Sequence, residues 1–199
     1  HEGDRPAFLL AQEYGMRGLP DLLCFIGLGI LCALVAQVYI RGMFHMEEAT
    51  DRAPIPDFVK PALGGMAVGA AAMLTPQVMG TGYETIERVL NNDPSLVMGT
   101  LFLLAFMKVV CTVLSIGSGG SGGIFAPSLF IGAMFGGGYG ALMHNLFPAH
   151  TSSPGAYALI GMAAVFAAAA HAPITSIFIL FEMTDDYRII VPLMSATVV

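Results

Sequence analysis

The feature that most constrains this chain is a succession of apolar runs, each near the length of a bilayer and several of them interrupted. Residues 22–40, 58–74, 96–116, 122–147, 157–181 and 189–199 hold only Lys60 and Lys108 as charged side chains, and a helix needs about 20 apolar residues to cross a hydrocarbon core. The run 58–74 is short and rich in Gly and Ala, 122–147 opens with glycines and a proline, and "AAAAHAPITS" breaks 157–181 at Pro173. Irregular backbone at membrane depth is tolerated only against protein or a water-filled cavity, as in transporters and channels. The expected fold is therefore an all-α integral membrane domain of broken helices, with membrane lipid around it.

Composition removes other classes. Of the 199 residues, 56% are hydrophobic and 11% charged, against about 25% charged in soluble domains. The net charge of −6 comes from scattered acids, so there is no basic face for nucleic acid. Cys24, Cys32 and Cys111 each sit inside an apolar run; they fit neither a disulfide framework nor a zinc site and read as small buried residues. No His or Cys stands at ligand spacing from His171, so neither a metal nor a cofactor is expected. The chain opens at His1 without signal-peptide features and stops inside an apolar run, and both ends are expected to be cut from something longer.

Between the runs, residues 41–60 hold three of the eight Lys/Arg residues and read as a cytoplasmic loop by the positive-inside rule. Residues 75–95 then read as an extracellular loop. Gly65 with Gly69, and Gly132 with Gly136 and Gly140, stand at the four-residue spacing that lets helix backbones approach closely in lipid.

The stretch "SIGSGGSGGIFAPSLFIGAMFGGGYG", residues 115–140, is the richest in chemistry. Gly117, Gly119 and Gly122 spell G-x-G-x-x-G, yet no strand precedes them and no acid follows about 20 residues on, so the dinucleotide reading fails. Gly119, Ser121 and Gly123 spell G-x-S-x-G, with His144 or His171 as a conceivable base for an intramembrane serine hydrolase. A nucleophile elbow needs a preceding strand, whereas "LFLLAFMKVVCTVLSI" has the length of a spanning helix. A non-transporting structural membrane protein is the other alternative.

A helix beginning between Ile124 and Pro127 makes fuller use of these residues. Proline suits a first helical turn, whose N–H groups lack intrahelical partners and carry the positive end of the macrodipole. Inside a bilayer such donors need a ligand, and an anion fits. Glycines leave the approach clear, Phe125 can seal one side, and a site without a full charge can release its ion. An ordinary helix start at the membrane surface remains the plain alternative.

The same residues resemble the G-x-F-x-P signature of the CLC family of voltage-gated chloride channels and chloride/proton exchangers, with Gly123, Phe125 and Pro127 at the defining places and Gly122 and Ala126 completing the motif. "LTPQVMGTGYETI" is similar to that family's Gly-x-Gly-aromatic segment, Lys108 stands where the family commonly has Lys or Arg, and "HAPITSIFILFEMTDDYRIIVPLM" is similar to its late helices. The resemblance implies that 19–199 is the C-terminal half of the transport domain, the second of two inverted repeats, truncated before the last helix. Residues 1–18 would be a partial helix end and extracellular loop. It further implies chloride held by the backbone N–H groups of Ile124 and Phe125, an N-terminal half of the same domain as partner, a homodimeric assembly, and no covalent chemistry. The family's serine signature and gating glutamate belong to the first repeat, its coordinating tyrosine lies past Val199, and any cytoplasmic CBS domains would lie outside this chain. Tyr187, in "MTDDYR", is not that tyrosine.

Two further ionisable groups are candidates. Lys108, inside an apolar run, would raise the potential along an anion path or pair with helix-terminal carbonyls, the second being preferred. Glu182, after "IFILF", is conceivable as a proton carrier, with capping or pairing to a basic neighbour preferred. His45 and His144 read as interfacial.

Overall fold

The computed structural model describes residues 19–148, 151–184 and 189–198. Among them are eight α-helices and no strand: α1 Leu19–Arg52, α2 Lys60–Leu74, α3 Tyr83–Leu90, α4 Met98–Gly117, α5 Phe125–Leu146, α6 Pro154–Ala170, α7 Pro173–Thr184 and α8 Ile190–Thr197, with a 3-10 turn at Pro76–Val78. The segment 1–18 assigned to a helix end and loop lies outside the described residues.

Three of these helices, α1, α4 and α5, are long and apolar enough to cross a membrane. Along α1, Phe25, Leu28, Cys32, Ala36 and Tyr39 are buried; they recur every three or four residues and form one core-facing stripe. Leu23, Ile30, Leu34 and Val38 point outward, as a lipid-facing side requires.

At the centre lies α6, in which every residue of 155–167 is buried. A helix apolar on all sides must be enclosed, and α1, α5, α7 and α8 enclose it. Its 17 residues span about 25 Å, short of a hydrocarbon core. The closest packing in the fold is α5 on α6, and it depends on glycine. A Cβ on Gly132 would strike the Gly161 carbonyl oxygen, one on Gly136 the Tyr157 carbonyl oxygen, and one on Gly140 would lie 2.7 Å from Tyr157 Cβ. The row Gly65/Gly69 behaves differently: nothing lies within 4 Å of either position. The shared spacing therefore marks a helix crossing in only one of the two rows.

Two sequence expectations are corrected and a third is borne out. Residues 41–52 are not loop but the end of α1, where Arg52 pairs with Glu48 at 2.5 Å one turn away and His45 Nδ1 bonds the Arg41 carbonyl oxygen at 3.0 Å. The loop 75–95 contains α3, a two-turn helix that buries Thr85, Ile86, Val89 and Leu90 on one face. The break expected at Pro173 does divide the run 157–181 into two helices, parted at His171, whose left-handed φ of 52° ends α6 while the Ala172 N–H bonds the Ala167 carbonyl. Pro173, which has no N–H to continue the ladder, opens α7.

A buried polar cluster ties the start of α1 to the start of α6. Asp21, fully enclosed, accepts from the Ser152 N–H at 3.1 Å, from the Ser152 hydroxyl, and from the Tyr157 hydroxyl at 2.5 Å.

Candidate functional site

The glycine stretch ends one helix and starts the next. At the end of α4, Gly119 takes φ +86°, its N–H bonds the Ile116 carbonyl at 2.9 Å, and the Gly120 N–H reaches back to the Ser115 carbonyl at 3.0 Å. This is a Schellman C-cap, which calls for glycine at the left-handed position. Ser121, Gly122 and Gly123 then carry the chain to Ile124, the N-cap of α5, placing Pro127 in the first turn. The Ile124 carbonyl points into the helix, accepting from the Ser128 N–H at 3.0 Å and from its hydroxyl at 2.6 Å.

The amides of this stretch are left without such partners. The N–H groups of Gly122, Gly123, Ile124, Phe125 and Ala126 meet no backbone acceptor among the described residues, and no side chain caps α5. The start of α5 borders a cleft of about 580 Å³ walled by Gly122, Gly123, Phe125, Ala126 and Pro127 on one side, by Lys108, Cys111, Thr112 and Ser115 of α4 on another, and by Val78–Thr81 on a third. Phe125 forms part of the wall, its ring set edge-on at 5.1 Å against Phe166 of α6.

Lys108 is the one charged side chain among the described residues lining this cleft. It is 4% exposed, and its Nζ donates to the Val78 and Gly80 carbonyl oxygens, each at 2.7 Å, while lying 5.0 Å from the centre of the Phe130 ring. Gly82, at φ +73°, keeps that ring in place, because a Cβ there would run into it. The cleft thus joins one fixed positive charge, the positive end of a helix dipole and a set of free amide donors, with no carboxylate on its described walls. Such a surface has the chemistry to attract a small anion.

The remaining sequence candidates stand elsewhere. Glu182 is exposed on the last turn of α7, with no basic partner among the described residues. Tyr187 lies outside the described residues. Ser121 is in the cleft wall, but no base accompanies it. His144 is in the last turn of α5, about 28 Å along the helix from its start, with its ring at 3.4 Å from the Thr151 hydroxyl. His171, exposed at the end of α6, does not line the cleft. The serine-hydrolase alternative therefore lacks its catalytic pair.

Sequence reasoning missed the α4 wall. Lys108, Thr112 and Ser115 stand at i, i+4 and i+7, the spacing of one helix face, and that signal was present in "KVVCTVLS". The carbonyls of 78–80 and the ring of Phe166 left no such trace.

The model of the family described as "Voltage gated chloride channel" matches residues 2–199. The chain is 37% identical over 207 residues to the chloride channel protein CLC-f of Arabidopsis thaliana, covering 98% of this chain and 26% of that protein. To the H(+)/Cl(-) exchange transporter ClcA of Vibrio parahaemolyticus it is 42% identical over 193 residues, covering 94% of this chain and 40% of ClcA. Among solved structures, that of a slow cyanobacterial Cl-/H+ antiporter superposes with a TM-score of 0.82 at 30% identity, over 96% of this chain and 45% of the antiporter. The chain thus spans less than half the length of these relatives. With the helix-start motif, the all-α membrane fold and these likenesses agreeing over nearly its whole length, the chain belongs to the voltage-gated chloride channel (CLC) family.

Proposed function

We propose that this chain is the C-terminal half of a membrane domain that transports chloride, by conduction or in exchange for protons, and that the backbone N–H groups of Ile124 and Phe125 hold the ion. Gly122, Gly123, Ala126 and Pro127 keep the approach open and start the helix. The observation that carries this reading is the start of α5, whose amides have no backbone acceptor among the described residues and whose first turn borders a cleft with Lys108 as its one charged lining residue. Backbone donors and a helix dipole hold a halide without a full charge at the contact, so the ion can leave again. The names of the exchange transporter and the antiporter above support chloride as the cargo. An N-terminal half of the same domain supplies the rest of the pore wall, two such subunits form a homodimer, and transport proceeds without covalent chemistry.

Bromide anomalous diffraction on the full-length protein tests the site: a peak within hydrogen-bond reach of the Ile124 and Phe125 amides is expected, and none under saturating bromide would refute it. Chloride efflux from liposomes, with and without a pH gradient, separates exchange from conduction. No flux in either condition would leave a structural membrane protein.

A further inference from the structure

From Ser121 to Phe125 every residue is exposed, and the stretch has little of its own to hold it still. A Cβ on Gly123 would meet nothing within 4 Å, no side chain caps α5, and the amides from Gly122 to Ala126 have no backbone acceptor among the described residues. Glycines without packing leave a backbone free to sample many conformations. Donors that hold an ion well stand in place before it arrives, because freedom lost on binding weakens the complex. A start of α5 that binds an ion therefore needs an anchor outside the stretch.

Helix α6 supplies one. The face of α5 that sets Gly132, Gly136 and Gly140 against α6 continues to Phe125, seven residues before Gly132 and so two turns nearer the start on the same side. There a ring takes over from the backbone contacts. The Phe125 and Phe166 centroids lie 5.1 Å apart with their planes at 88°, an edge-to-face arrangement that aromatic pairs prefer. Phe166 is buried on the enclosed helix α6. One turn before it, the Ala163 carbonyl oxygen accepts from the buried Ser176 hydroxyl of α7 at 2.7 Å, which ties this part of α6 to a further helix. Phe125 thus joins two environments: its ring packs on the core, and its N–H belongs to the bare helix start.

We propose that Phe166 is a positioning residue for the anion site, holding the Phe125 ring from α6 and so fixing the Ile124 and Phe125 amides. The proposal rests on those amides binding the ion, and it extends the site to a side chain that does not line the cleft. An edge-to-face pair contributes, beyond its buried area, the equivalent of about a two- to tenfold change in an equilibrium.

Flux through the full-length protein in liposomes, measured over a series of chloride concentrations, tests this. Phe166→Ala should raise the half-saturating chloride concentration about fivefold, with the maximal flux per folded protein within about twofold of the unsubstituted value. A residue that serves only stability would do the reverse, lowering the amount of active protein at an unchanged half-saturating concentration. Phe125→Leu keeps the amide and removes the ring, so it should raise that concentration by a similar factor, whether or not the Phe166 variant folds. In the double variant the two effects should not add. An unchanged half-saturating concentration in either single variant, or strict additivity in the double one, would overturn the proposal. Bromide diffraction on the unsubstituted protein keeps the two readings apart. A peak at the Ile124 and Phe125 amides beside unchanged affinity in the variants would refute the role of Phe166 alone; no peak would refute the amide site and this role with it.

Discussion

The Lys108 ammonium donates to the carbonyl oxygen of Gly80, 28 residues earlier in the chain, at 2.7 Å. With the matching bond to Val78, it fixes an irregular backbone segment against α4, in a fold where such a segment must have its carbonyls satisfied by protein. Lys108→Met should therefore lower stability by about 2–4 kcal/mol, because two carbonyls lose a charged donor. Thermal unfolding in detergent measures this; an unchanged or raised midpoint would show that the lysine serves the cleft alone. Lys108→Arg should recover part of the loss.

Asp21 joins helices that are far apart in sequence, and its removal leaves the Ser152 and Tyr157 donors buried. Asp21→Ala should cost about 3 kcal/mol and Tyr157→Phe about 1 kcal/mol. The double variant should cost less than the sum, since both remove the same bond. Strict additivity in the same unfolding assay would argue against direct coupling.

The glycines of α5 should sort by packing and not by spacing. Gly136→Leu forces a side chain into the α6 backbone and should prevent assembly of the fold or destabilise it by more than about 3 kcal/mol. Gly65→Leu, which enters open space, should leave the yield of monodisperse protein unchanged. Comparable damage from both would mean that a partner covers α2.

Outside the spanning helices, Asp93 carries a testable pH signature. Its carboxylate accepts from the Ser95 backbone N–H at 2.9 Å and from Arg88 at 2.8 Å, and chiefly the Ser95 bonds, with Arg88 next, hold its pKa down to about 2. A folded pKa below the unfolded value near 3.8 means that its contribution is complete above about pH 4 and is lost as pH falls towards 2. The stability of the 91–95 turn should thus be flat from pH 8 to about 5 for this group, and hydrogen exchange at the Ser95 amide should accelerate only in strong acid. Asp93→Asn should abolish that acid step.

Much of this molecule was legible in short windows of sequence. The charge deficit and the apolar runs led to a helical membrane domain, Pro173 marked a real break, and the glycines with Pro127 located a helix start that falls at Phe125. Each of these depends on one residue and its immediate neighbours, because turn chemistry and hydrophobic length are local properties. Where the reading failed, the cause was a surface supplied from elsewhere. Helix α3 is short and weakly apolar, and it exists because Ile86, Val89 and Leu90 find a core to enter; the last turns of α1 hold through i,i+4 pairs beyond the apolar run.

What the sequence by itself determined, then, is that the chain belongs in a membrane, where its helices break, and that bare amides begin one of them at Ile124 and Phe125. Tertiary structure alone decided which glycines meet another backbone, which carbonyls Lys108 holds, and that the polar face of α4 and the start of α5 wall the same cleft. The physical reason is separation along the chain. The contacts that orient these groups join residues such as Asp21 and Tyr157, 136 positions apart, and no local pattern encodes which faces will meet once the helices pack.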